Sequence, residues 1–162
     1  MPFLGPIELE AAAMFAEWPT DLGLDAEALK EVDSIRTFRE AQKNGHLWVA
    51  VDENDAPVGL ALVHTVDMAA HLEEMDVLPL HGRKGLGAAS LEAVCSWAKG
   101  NGYLAVTLST FRDVPWNKPF YEKHGFRAVE PNDLSPALLR VVDLEHKRGL
   151  STDLRVIMRR VL

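Results

Sequence analysis

Val77-Leu78-Pro79-Leu80-His81-Gly82-Arg83-Lys84-Gly85-Leu86-Gly87-Ala88-Ala89-Ser90-Leu91 leads from the end of an apolar strand, through a proline-broken loop, into a basic, glycine-rich helix start. The first amides of a helix have no intrahelical partner and carry roughly half a positive charge between them. Glycines let a ligand touch that backbone, and Arg83 and Lys84 add full charges, so the stretch reads as a phosphate cradle. An ATP- or GTP-type loop needs Gly, four residues, then Gly-Lys-Ser/Thr, but here the lysine precedes Gly85 and Leu86-Gly87 follows. A dinucleotide fingerprint would need a third glycine at position 90, which is Ser90, and an acid near position 105, which is Ala105.

Working outward, residues 7–17 read as a helix, and Leu29, Val32, Ile35 and Phe38 give a helical stripe over residues 26–44, stopped at Gly45. Residues 47–51 and 58–63 flank an Asp-, Asn- and Pro-bearing turn, a strand-turn-strand pattern, and residues 71–78 form the strand that feeds the cradle. The helix after it carries Leu91, Val94, Cys95 and Ala98 on one stripe and ends at Gly100-Asn101-Gly102. A strand over 103–108, a helix over 115–124 and a short strand over 126–129 follow. Ser135-Pro136 has the cap-then-proline order of a helix start, running to about Lys147, and residues 154–162 form a last strand. The order implies an α/β (α+β) domain with a mixed, mostly antiparallel sheet flanked by helices, a single unit over residues 1–162.

Composition narrows the function. With 48% hydrophobic and 25% charged residues the chain is a globular folder. A formal charge of −7 argues against a general nucleic-acid binder and is compatible with a cationic acceptor. Cys95 is the lone cysteine, the first residues lack a basic leader, and no apolar run approaches eighteen residues, so a cytoplasmic location without membrane contact is expected.

The cradle closely resembles motif A of the GNAT superfamily of acetyl-CoA-dependent N-acetyltransferases. The family pattern is Arg or Gln, two residues, Gly, one residue, then Gly or Ala; here Gly82 takes the first position and Arg83 is displaced by one. Asn117-Lys118-Pro119-Phe120-Tyr121-Glu122-Lys123-His124-Gly125-Phe126 is similar to the family's Asn…Tyr-Glu-x-x-Gly-Phe segment, though many members place the Asn seven residues before the tyrosine rather than four. With flanking elements the resemblance covers roughly residues 46–129.

The resemblance implies acetyl-CoA as cosubstrate, with no metal. Its pyrophosphate would sit on Gly82, Arg83, Lys84, Gly85, Leu86, Gly87 and Ala88, and its pantetheine along the backbone of Met75, Asp76 and Val77. Asn117, Phe120 and Tyr121 would flank it, Tyr121 serving as general acid. It further implies a small-molecule or peptide amine as acceptor, and homodimers are common. Two departures stand out: the family's usual first strand has hardly six residues in which to form, and residues 132–149 are a long connection between the last two strands.

The chemistry sets its own demands. An alkyl amine of pKa near 10.4 is under about 0.1% neutral at pH 7, and stripping its proton costs on the order of 4–5 kcal/mol. A base is therefore needed, and the family often draws it from the strand before motif A. Alternation puts His71 and Glu73 on one face of that strand and Glu74 and Asp76 on the other, unless a bulge shifts the register. His71 and Glu73 are the first choices and Glu74 the next. A noncatalytic acyl-CoA-binding module is the rival reading, since the cradle serves both.

The histidines at 46, 64, 71, 81, 124 and 146 have no metal-ligand spacing, and Cys95 reads as core. Trp48 and Trp97 read as core, and Trp18 and Trp116 as packing beside prolines. Asp21, Asp25, Glu27, Glu31 and Asp33 read as a solvated acidic face.

Overall fold

The computed structural model describes residues 3–18, 20–24, 27–30 and 32–162. Two helices come first, α1 (Leu4–Ala16) and α2 (Ile35–Lys43). Strands β1 (Leu47–Val51), β2 (Pro57–Val66) and β3 (Ala69–Val77) follow as a meander. After the glycine loop come α3 (Leu86–Gly100), β4 (Ala105–Phe111), α4 (Lys118–Lys123), β5 (Arg127–Ala128), α5 (Pro136–Lys147) and β6 (Arg155–Val161). The strands form one sheet in the order β1-β2-β3-β4-β6-β5, antiparallel at every pairing but β3 with β4.

Apolar periodicity decides the layers. Leu91, Val94, Cys95 and Ala98 of α3 bury against Ala61, Val63, Ala70, Leu72, Val106 and Leu108 on one face of the sheet. On the other face Leu4 and Ile7 of α1 and Phe38 of α2 close over Leu60, while Leu138 of α5 packs with Val66 and Ile157. Cys95 is core, with burial pushing its thiol upward. Trp18 and Trp116 pack edge-to-face at 5.1 Å and Trp48 against Trp97 at 5.2 Å.

Several boundaries depart from the sequence reading: α1 starts at Leu4 rather than at residue 7, and β2 runs on to Val66. Residues 26–44 are not one helix: a single 3-10 turn (Ala28–Lys30) precedes α2, whose start is set by Ser34, its side chain accepting from the Thr37 amide at 3.1 Å. A cap of about 1 kcal/mol thus overrides the stripe, and Val32 is left exposed. Strand β4 runs three residues beyond the expected end, and α4 begins at Lys118 because Val114 to Asn117 forms a turn. Of the acidic face, Asp25 and Glu31 lie outside the described residues; Glu27 is exposed, while the Asp33 amide turns inward to a buried partner. Among the described residues no strand precedes α1, and the long connection between β5 and β6 is occupied by α5, capped by Ser135 with Pro136 behind it.

Candidate active site

The loop after β3 makes a 3-10 turn (Pro79–His81) and enters α3 through Gly85, which takes φ +84° as the N-cap. A residue with a side chain would be strained there. Arg83 also sits at φ +57°, so the chain coils tightly ahead of the helix. The first amide returned to the helix is that of Ala89, bonded to the Gly85 carbonyl at 2.9 Å, and no side chain caps α3. The amides of Leu86, Gly87 and Ala88 therefore point out of the helix end without intrahelical partners. A Cβ on Gly87 would meet Phe120 at 3.7 Å, an ordinary contact, so the fold tolerates a side chain that would project into this space.

Beside the loop the sheet divides. The β3–β4 ladder runs from Ala69 opposite Ala105 to Leu72 opposite Leu108 and stops. Beyond it β4 continues along β6 as far as Phe111 opposite Arg155, and β3 continues along β2 as far as Val77 opposite Gly59. The edge of residues 73–77 that faces β4 thus has no strand partner, and a cleft opens between them.

The register of β3 against β2 slips at the same point: Leu62 lies opposite Glu74, yet Val63 lies opposite Leu72, leaving Glu73 as an extra residue. The alternation that would part His71 and Glu73 from Glu74 and Asp76 is thereby corrected. Directly opposed residues share a face, so His71 (opposite His64), Glu74 (opposite Leu62) and Asp76 (opposite Leu60) all look toward α1. Glu73 joins them, its carboxylate accepting from His64 Nδ1 at 3.1 Å. All four candidates gather on one wall.

Their environments differ. His71 is 2% exposed, hydrogen-bonded through Nδ1 to Thr107 Oγ1 at 2.9 Å, and held down to about pKa 4 by burial and by neighbouring His64. Glu73 is held below the usual carboxylate range, chiefly by the His64 hydrogen bond, with Arg148 at 3.9 Å. Burial lifts Glu74 to about 7 against the lowering effect of a hydrogen bond with Asp76. Burial and then the charge of Glu74 push Asp76 well upward, and its Oδ2 is buried with no hydrogen-bond partner among the described residues.

Glu8 is the residue that the sequence reading missed. It projects from α1 onto the same wall, 7% exposed, and accepts from the Asp33 amide at 3.1 Å; burial, then Glu74, then Asp33 raise it to about 8. An acid on the Leu4, Ile7, Ala11 stripe was the available signal. Arg155 and Glu145 were also missed: the guanidinium holds Glu145 at 3.1 Å and donates to the Ser109 carbonyl at 3.1 Å, clamping α5 to the sheet.

Glu8 has a thermodynamic consequence. Its folded pKa of about 8 lies above the 4.5 of an ordinary glutamate, so the folded chain binds the extra proton and its stability falls as pH rises through that window. His71 acts in the opposite sense, contributing stability above pH 6.5 that is lost as pH falls toward 4. The Glu8→Gln variant keeps an acceptor for the Asp33 amide. Its stability advantage over the parent should grow by about 1.4 kcal/mol per pH unit between roughly pH 5.5 and 7 in urea titrations, and a flat difference would contradict this account.

Across the cleft, Tyr121 of α4 is buried against Phe126 and Phe120, and burial followed by the charges of Glu74 and Asp76 drives its hydroxyl far above the usual phenol range. Asn117 donates from Nδ2 to Thr110 Oγ1 at 2.8 Å, and its carbonyl accepts from the Tyr121 amide at 3.1 Å, fixing the start of α4. Phe120 stacks on His124 at 4.5 Å beside the glycine loop. A separate hollow of about 180 Å³, lined by Val66, Thr107, Leu138 and Arg159 among others, lies at the far end of β3. Among the described residues no group of His, Cys, Asp or Glu could hold a metal ion, and no helix is long and apolar enough to cross a membrane.

Known proteins share this architecture. The PaiA N-acetyltransferase of Thermoplasma acidophilum, solved with coenzyme A, superposes with a TM-score of 0.67 at 16% identity over 98% of this chain and 90% of its own. Rv2747 of Mycobacterium tuberculosis, solved with CoA and NLQ, gives 0.64 at 18% over 96% and 94%. The ribosomal-protein-S18-alanine N-acetyltransferase of Escherichia coli gives 0.56 at 20% over 81% and 78%. These likenesses speak to the fold. A family model described as the acetyltransferase (GNAT) family matches residues 9–126, a span holding the glycine loop, the divided sheet and Tyr121, and the chain accordingly belongs to the GNAT acetyltransferase family.

Proposed function

We propose that the protein is an N-acetyltransferase that moves the acetyl group of acetyl-CoA to an amine by direct attack, with Glu74 as general base and Tyr121 as general acid. The observation that carries this reading is the convergence of Tyr121 and a carboxyl wall on the cleft where β3 parts from β4, beside the unpaired amides of α3. Loop residues 82–88 fit a pyrophosphate, and the free edge at Met75, Asp76 and Val77 fits the extended amides of pantetheine as an added strand.

The amine nitrogen attacks the thioester carbonyl carbon while its proton passes to Glu74; the carbon–sulfur bond breaks, and the Tyr121 hydroxyl protonates the departing thiolate. The products are an amide and coenzyme A. Glu74 suits the base role because a pKa of about 7 lets a useful fraction be ionised while keeping it basic. His71 is neutral but weakly basic and shut in by Thr107, and Glu73 is engaged by His64 and Arg148; both are placed second. The acceptor is a small-molecule or peptide amine. A cytoplasmic setting belongs to the same reading, supported by a lone, buried cysteine.

A noncatalytic binding module would need the cradle alone, whereas the carboxyl wall and Tyr121 favour catalysis. The deciding experiment is coenzyme A release from acetyl-CoA across a panel of amines. Binding has its own check: ligand at about 100 times Kd should stabilise the fold by roughly 2.7 kcal/mol, and Gly87→Glu should abolish that shift while the unliganded protein stays folded. Absence of any shift at millimolar coenzyme A would end the reading.

A further inference from the structure

Among the described residues, three carboxyls on the wall, Glu8, Glu74 and Asp76, make no ion pair, and only Arg155 acts on one of them, Glu74, from a longer range. Glu8 receives one backbone amide, Glu74 and Asp76 act on each other, and Asp76 Oδ2 is buried with no hydrogen-bond partner among the described residues. The other titratable groups facing them are Asp33 before α2, His64 on β2, His71 and Glu73 on β3, Tyr121 on α4 and Arg155 on β6. Of the permanent cations, Arg155 is held by Glu145, and Arg148, just after α5, lies against Glu73. Buried acids left without compensation are unfavourable in a merely structural role, because each must either ionise in a low dielectric or give up its charge.

Resting on the reading above, we propose that this wall selects an acceptor bearing two positive charges, a small diamine-type dication, one nitrogen reacting at the cleft while the second ammonium sits on Glu8 and Asp76. With Glu74 assigned to the reacting amine, Glu8 and Asp76, which act on each other, remain to receive a cation, and the unbonded Asp76 Oδ2 is an acceptor that an ammonium proton would satisfy. Glu8, raised to about 8, is largely protonated at neutral pH, and Asp76 is pushed in the same direction, so an ammonium seated on the pair displaces a proton. Binding is therefore coupled to proton release. A net charge of −7 favours such a guest at long range.

The test is calorimetry on the protein loaded with coenzyme A, which cannot turn over, at pH 7.5 in two buffers of different ionisation heat, with 1,4-diaminobutane and 1-aminobutane as ligands. The diamine should bind at least about tenfold more tightly, with release of up to about one proton, and both Asp76→Asn and Glu8→Gln should erase the preference. Equal affinity for the two amines, or a diamine preference that survives both substitutions, overturns the proposal. Transfer assays separate it from the catalytic reading. Diamine binding with proton release but no transfer to any amine removes catalysis alone, while monoamines acetylated as efficiently as diamines remove the dication alone.

Discussion

Tyr121→Phe is expected to lower kcat by about 10² or more while the affinity for acetyl-CoA changes by no more than about twofold. The hydroxyl stays protonated through the working pH range, and its removal leaves the ring contacts with Phe120 and Phe126 in place. Without it, coenzyme A must depart as a thiolate in a site already crowded by Glu74 and Asp76, where an added negative charge is disfavoured. Single-turnover rates with a confirmed acceptor give the measurement. An unchanged kcat would strip Tyr121 of the acid role and leave it a packing residue.

Glu74→Gln should be comparably slow at neutral pH, with kcat/KM at pH 7 down by about 10² to 10³. In the parent, activity should climb with pH through about 7 as Glu74 ionises, since the base must be a carboxylate to accept a proton. The variant should lose that limb and recover toward pH 9, where an amine of pKa near 10.4 arrives neutral about 100 times more often than at pH 7. Glu73→Gln and His71→Ala serve as comparisons. If either of them, rather than Glu74→Gln, is slow at pH 7 and restored at pH 9, the base has been misassigned; if none responds, solvent removes the proton.

What the chain displays openly is whatever local chemistry decides. Gly85 and Pro79 announce the loop because their backbone preferences hold in any context, and Ser135-Pro136 announces α5 for the same reason. Residues whose roles depend on partners far along the chain are hidden. The extra residue at Glu73 exists only relative to β2, so parity counting on β3 alone sends Glu74 and Asp76 to the wrong side of His71. Glu8 meets Glu74 across a separation that no periodicity reports, although its place on an apolar stripe hints at burial. Val32 fits the helical stripe of α2, yet Ser34 ends the continuity, because one local hydrogen bond outweighs a pattern whose outer members gain little burial.

The early end of the β3–β4 ladder also bears on solubility. Unpaired strand edges usually template aggregation, since any extended chain can dock on their free amides and carbonyls. Here the free edge of residues 73–77 lies in the interior of the sheet order, with α3 on one side and α1 on the other. A slim flexible chain can slide into such a slot, but a second protein molecule cannot bring a strand and its attached sheet flush against it. The protein thus keeps an adhesive edge while denying it to its own copies.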